Sequence, residues 1–222
     1  RLGQFYSKEI NAFLDDYRID RNEVAAIGSH GQTIRHHTQG DHRYTLQIGD
    51  PNIIAAQTGL TVVADFRRRD LALGGQGAPL APAFHQQVFR SDTTNRVIVN
   101  IGGISNITSL PADHALPVIG FDSGPGNTLL DHLSRQFLNK NYDQGGDYAR
   151  NGRIDHAILQ SMLEKEPYFQ QSPPKSTATD YFSPAWLAQF HITRLAPADA
   201  MATLLELSAI SLAQAVQSLE ID

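Results

Sequence analysis

Residues 117–127, PVIGFDSGPGN, decide how this chain folds. The apolar run 117–121 reads as a strand that delivers one carboxylate, Asp122, into a Ser-Gly-Pro-Gly turn. Gly124 and Gly126 permit backbone angles that a Cβ would forbid, and Pro125 stiffens the chain between them. Asn127 then stands as N-cap of a helix over TLLDHLSRQFL, where Leu129, Leu130, Leu133 and Phe137 recur at helical spacing. A carboxylate at a strand's C-terminal end, beside free helix N–H groups, lies where open α/β sheets bind ligands. The competing reading is an Asp that merely closes a turn.

Upstream, residues 96–100 (RVIVN) and 104–110 (ISNITSL) are β-rich runs joined through Ile101-Gly102-Gly103, which predicts a hairpin turning at the glycines. Backbone N–H groups at such a turn can cradle phosphate oxygens, because no side chain keeps the anion from the peptide dipoles. Further back, 61–66 (TVVADF) is a second buried strand ending in Asp65, followed by Arg67 and a loop carrying Gly74, Gly75 and Gly77. That glycine spacing is neither the P-loop nor the dinucleotide fingerprint, so it signals either close backbone approach to a ligand or a flexible loop. A third strand, 24–28, runs into Ser29-His30-Gly31-Gln32-Thr33, a polar cluster at a strand end. His30, His36, His37 and His42 crowd together but match no zinc spacing, which makes them surface imidazoles and leaves no metal ligand to name.

Helical periodicity marks 5–14, 52–58, 83–89, 154–163 and, longest of all, 199–219, which suits either the core or a dimer contact. Phe182, Trp186, Leu187 and Phe190 form an apolar patch best placed in the core. Lys175, in the extended loop 173–177 (PPKST), can meet a phosphate or carboxylate or remain solvated. The unpatterned stretch 91–95 divides two regions that each hold strands and helices, giving a first lobe at 1–94 and a second at 95–222.

At 222 residues, 41% hydrophobic, the chain can bury a sizeable core, and no run of about 18 apolar residues suggests a bilayer span. A net charge of −5 argues against broad binding to a phosphate backbone, so nucleic acid is not an expected partner. The absence of Cys excludes disulfides and thiolate metal sites and accords with a cytoplasmic protein. The opening Arg1-Leu2-Gly3-Gln4 reads as the interior of a longer chain.

Five segments occurring in order, SHGQT (29–33), VVADFRRRDLALGGQGAPLAP (62–82), VNIGGISNIT (99–108), GFDSGPGN (120–127) and PPKST (173–177), resemble anhydro-N-acetylmuramic acid kinases. The resemblance implies an α/β fold of the two-lobed sugar-kinase, hexokinase, actin and Hsp70 type. Each lobe would be a mixed sheet with flanking helices, with nucleotide and sugar meeting between lobes. It implies conversion of 1,6-anhydro-N-acetylmuramic acid, ATP and water into N-acetylmuramic acid 6-phosphate and ADP during cell-wall recycling. ATP and Mg²⁺ are the expected cofactors, and the family tends to form homodimers.

Within that resemblance Asp122 is the expected general base, taking a proton from the water that attacks the anomeric carbon. Asn100, Gly102 and Gly103 are the expected phosphate hairpin. His30, Asp65, Arg67, Gly74, Gly75, Asn127 and Lys175 are the expected sugar-side residues, with Arg67 suited to a carboxylate. The family's first phosphate loop and its adenosine region are missing from these 222 residues, so the chain reads as an internal fragment of weak or absent turnover. Three other readings remain. A kinase that phosphorylates an existing hydroxyl would use Asp122 equally well, and a sugar-binding protein of the same fold would bind without turnover. A serine hydrolase built on Ser123 lacks G-x-S-x-G.

Overall fold

Seven strands and eight α-helices arise from residues 1–37, 40 and 42–219, the residues described in the computed structural model. The chain is mixed α/β, in agreement with the sugar-kinase and actin-like expectation. It divides into two compact units, Arg1–Leu80 and Ala81–Asp222. That division falls ahead of residues 91–95, so the helix at 81–89 belongs with the second unit.

In chain order the first unit holds α1 (Leu2–Asp16), β1 (Ile27–Ser29), β2 (Gln32–His37), β3 (Tyr44–Ile48), α2 (Pro51–Thr58), β4 (Val62–Ala64) and α3 (Phe66–Ala72). β1 pairs with β4 in parallel, and β2 with β3 antiparallel. Asp50 caps α2 by accepting the Asn52 N–H at 2.9 Å, with Pro51 at the first helical position. α1 approaches α2 closely because Gly3 has no Cβ, which would stand 3.0 Å from the Asp50 carbonyl oxygen. The glycine loop begins later than the sequence suggests. Residues 66–72 contain good helix formers and Asp65 braces Arg68 across the first turn, so α3 occupies what reads as loop.

The second unit holds α4 (Ala81–Phe89), β5 (Arg96–Ile101), β6 (Ile104–Leu110), β7 (Ile119–Pro125), α5 (Thr128–Leu138), α6 (His156–Lys165), α7 (Pro184–Ala188) and α8 (Pro197–Gln217). β5, β6 and β7 form one antiparallel sheet in that order. The 101–103 turn is the expected hairpin, with Ile101 opposite Ser105. α8 is long and apolar enough to pass for a membrane span by length and composition. Here it is a core helix instead, burying Ala200, Met201, Leu204 and Leu207 against Leu129, Leu133, Met162, Phe182 and Trp186. Each of the Met, Leu and Phe side chains among these contributes about 1.5–3 kcal/mol by leaving water.

Ala215 of α8 packs against Ile107 and Phe121 of the sheet, and at the start of α5 the backbone comes close to the 101–103 hairpin. A Cβ on Gly126 would collide with the Gly102 carbonyl oxygen and come within 2.8 Å of Ser105 Oγ. Gly126→Ala is therefore expected to destabilise the chain by about 1–3 kcal/mol through overpacking of backbone that cannot yield. A fall in the denaturant midpoint at constant slope would show it, and an unchanged midpoint would refute it.

Candidate functional site

β7 does not end at Asp122. The strand continues to Pro125, and Asp122 stands opposite Asn106 of β6. The register slips between Ser105 and Asn106, which leaves Ser123 as an extra residue, and Gly124 follows at φ 151° with Phe169 and Ser211 pressed against it. The break expected as a loop is thus a β-bulge beside the carboxylate, the device by which a sheet re-aims one side chain.

Asp122 is half-buried and gripped from one loop. Ser176 Oγ donates to Asp122 Oδ2 at 3.0 Å, and the Thr177 N–H donates to the same oxygen at 2.9 Å. The Asp122 N–H donates to the Lys175 carbonyl at 3.1 Å, and the Tyr168 hydroxyl donates to the Asp122 carbonyl at 2.7 Å. Burial, and then the Asp122 charge, push the Tyr168 phenol far above its ordinary range, so it stays a donor. Lys175 Nζ donates to the Tyr168 carbonyl at 3.1 Å and sits 4.8 Å over the Tyr168 ring, a cation–π contact. Burial holds that ammonium below its ordinary range. Lys175 is thus already partnered within its own loop.

The 101–103 hairpin reaches the start of α5. Ahead of the helix, Gly126 N–H donates to the Gly103 carbonyl at 2.9 Å and Asn127 N–H to the Gly102 carbonyl at 2.8 Å, and Thr128, the first helical residue, donates its N–H to the Gly103 carbonyl at 3.0 Å. The hairpin thus takes the first amide of the helix. Asn127 occupies the N-cap position without a side-chain cap, and its amide nitrogen donates to the Gly102 carbonyl at 3.2 Å. Gly102 donates its own N–H to the Ile104 carbonyl at 3.2 Å. Gly103 is exposed, and a Cβ there would stand 3.1 Å from Thr179 Cγ2, so a side chain would crowd the turn. Asn100 is exposed beside it in β5.

The first unit gathers a separate polar cluster. Arg67 Nε donates to His30 Nε2 at 2.7 Å, and Arg67 Nη1 to the Gly77 carbonyl at 2.7 Å. His30 Nδ1 lies 2.8 Å from the Gly31 carbonyl, so this arrangement has Nδ1 donating to that carbonyl and Nε2 accepting from Arg67. Partial burial lowers the Arg67 pKa. Asp65 sits in the left-handed region at φ 61° and takes Arg68 Nε on both carboxylate oxygens at 2.7 Å. Ser29, His30, Thr45, Gln47, Asp65 and Arg68 line a cavity of about 200 Å³. Gly74 and Gly75 are held by their carbonyls, which accept from Arg43 Nη1 at 3.3 and 3.5 Å. The Asp70 carboxylate fills the space where a Gly75 Cβ would go and accepts the Gly77 N–H at 2.6 Å.

A family model described as anhydro-N-acetylmuramic acid kinase matches residues 1–222. The chain belongs to the anhydro-N-acetylmuramic acid kinase family. Relatives bearing that name include one from Coxiella burnetii (strain Dugway 5J108-111), 51% identical over all of this chain and 59% of its own length. One from Shewanella woodyi is 48% identical, covering all of this chain and 60% of the relative. Another, from Shewanella amazonensis, is 50% identical over 96% of this chain and 58% of the relative. The chain thus spans about 59% of the Coxiella relative's length.

For this member of the anhydro-N-acetylmuramic acid kinase family, the residues singled out from sequence fall into two groups. His30, Asp65, Arg67, Gly74 and Gly75 gather in the first unit, and Asn100, Gly102, Gly103, Asp122, Asn127 and Lys175 in the second. Among the described residues no group of three His, Asp or Glu side chains could hold a metal ion. Sequence reasoning assigned nothing to Ser176, Thr177, Tyr168 or Glu166, although the first two lie inside the quoted PPKST motif. Tyr168, Ser176 and Thr177 meet Asp122 from 46 to 55 residues away, and Glu166 meets Tyr181 and Trp186 from 15 and 20 residues away, beyond the reach of local pattern.

Proposed function

We propose that the complete protein is an ATP-dependent kinase that opens and phosphorylates 1,6-anhydro-N-acetylmuramic acid, with Asp122 as general base. The observation that carries this reading is the Asp122 carboxylate, aimed by the bulge after it and fixed through Ser176 and Thr177, in a chain whose whole length matches the family. Asp122 takes a proton from water as the water oxygen bonds to the anomeric carbon and the bond from that carbon to O6 breaks. The released O6 then attacks the γ-phosphoryl group, giving N-acetylmuramic acid 6-phosphate and ADP.

ATP supplies the phosphoryl group, and the exposed hairpin at Asn100, Gly102 and Gly103 has the small turn that phosphates require. With no metal-holding cluster among the described residues, Mg²⁺ would enter on the nucleotide's phosphates, and no step depends on a protein ligand to it. Arg67 and His30, joined by a hydrogen bond, are the first unit's candidates for the sugar, with Arg67 the counter-charge for its lactyl carboxylate. Asp65, Gly74, Gly75, Asn127 and Lys175 then act on the substrate by shaping loops, since each carries a protein hydrogen bond of its own. This reading places the protein in the cytoplasm, in peptidoglycan recycling, and leaves a homodimer to be tested by light scattering.

The deciding experiment uses the complete protein with ATP, Mg²⁺ and the anhydro sugar in ¹⁸O-labelled water, read by product mass. A product carrying one phosphate and one labelled oxygen is expected. Phosphate without label would leave a kinase that does not open the ring, and sugar binding without product would leave a binding protein.

A further inference from the structure

We propose that Tyr168 and Ser176 are positioning residues for Asp122: the segment 166–177 forms a clasp that sets the direction of its carboxylate. This rests on the reading of Asp122 as base and adds what makes that base accurate. β6 pairs with the Asp122 backbone from one side only, and at the bulge that pairing loosens. The other side is held by the clasp. Tyr168 ties it together with four contacts: its N–H donates to Glu166 Oε1, its hydroxyl donates to the Asp122 carbonyl, its carbonyl accepts from Lys175 Nζ, and its ring underlies the same ammonium. Lys175 closes the ring of contacts by accepting the Asp122 N–H on its own carbonyl.

The next two residues then arrive in register with the side chain. Ser176 Oγ and Thr177 N–H converge on the same oxygen, Oδ2. Two donors on one carboxylate oxygen fix rotation about the Cβ–Cγ bond, which also fixes where the second oxygen points. A general base must lie within about 2.6–3.2 Å of the proton it takes, and a misplacement of about 1 Å can cost on the order of 10²-fold in rate. Glu166 anchors the clasp from below. It is 5% exposed and takes donors from Tyr168 N–H, the Tyr181 hydroxyl and Trp186 Nε1, so Tyr168 cannot swing without breaking a buried network. Ser176, by contrast, is exposed, and its loss removes one hydrogen bond without opening a cavity.

The test compares the complete protein with Ser176→Ala, Ser176→Thr, Tyr168→Phe and Asp122→Asn, measuring kcat, KM for sugar and for ATP, and Tm. Ser176→Ala and Tyr168→Phe are expected to lower kcat by about tenfold or more with each KM changed by no more than about twofold. Ser176→Thr, which keeps the hydroxyl, should restore kcat to within about threefold of the parent. A kcat for Ser176→Ala and Tyr168→Phe within about twofold of the parent overturns the proposal, as does a loss that follows Tm and is not rescued by Thr. If the intact protein transfers no phosphoryl group, or Asp122→Asn retains activity, the reading of Asp122 has failed and the clasp fails with it. If that reading holds and only the clasp variants behave like the parent, the positioning claim alone is wrong.

Discussion

Asp122→Asn is expected to reduce turnover of the complete protein by about 10²–10⁴-fold, the range that a positioned general base contributes. The substitution is close to isosteric, and the amide oxygen can still accept from the Ser176 hydroxyl and the Thr177 N–H. What it cannot do is take a proton from water at neutral pH. The fold should therefore persist while chemistry stops, with Tm shifted by no more than about 2 °C and KM for the sugar little changed. If the variant keeps more than about a tenth of parental kcat, the proton goes elsewhere and Asp122 is a structural Asp. Substrate-level labelling adds a second readout: incorporation of phosphate and of ¹⁸O into the sugar should fall together, because one carboxylate serves both bond changes.

Glu166→Ala carries the largest expected loss of stability. The Glu166 carboxylate accepts the Tyr168 N–H at 2.9 Å, the Tyr181 hydroxyl at 2.5 Å and Trp186 Nε1–H at 2.5 Å. Tyr181 is largely exposed and can turn to water, but Tyr168 and Trp186 are buried and their N–H groups would be left without an acceptor. A buried donor stripped of its partner costs about 1–3 kcal/mol, so the pair costs about 2–6 kcal/mol before any cavity is counted. The aromatic stack would loosen as well, since Phe182 lies 5.7 Å from Tyr168 and 5.2 Å from Trp186, edge to face with both. Denaturant unfolding checks the magnitude, and a loss below about 1 kcal/mol would sink the argument. Tyr181 reports on the same group. Burial, and then the hydrogen bond and charge of Glu166, push its phenol up to about 12, so removing Glu166 should bring its ultraviolet titration back toward lower pH.

Local sequence carried much of the architecture because much of it rests on local physics. The hairpin at Gly102 and Gly103, the α5 periodicity of Leu129 and Leu133, and the core patch at Phe182 and Trp186 all follow from spacing and from residues that tolerate few alternatives. The helix α3 did not follow, because Asp65 starts it from a left-handed backbone angle that no pattern announces. The link between the hairpin and the start of α5 did not follow either: the Gly103 carbonyl takes the Thr128 N–H from 25 residues away, and only a three-dimensional contact could reveal that.

By itself, then, the sequence determined the α/β class, the order of strands and helices around the bend after Asp122, and the family through five ordered motifs. These are properties of spacing, glycine placement and apolar period, which act over a few residues. Tertiary structure decided how Asp122 is held: that β7 runs through it into a bulge, that Ser176 and Thr177 meet one oxygen, and that Tyr168 and Glu166 brace them from within the core. It decided too that Lys175 leans on Tyr168 and that Arg67 bonds His30. Side-chain direction depends on hydrogen bonds between residues tens of positions apart, and such partners become visible only once the chain has closed those distances.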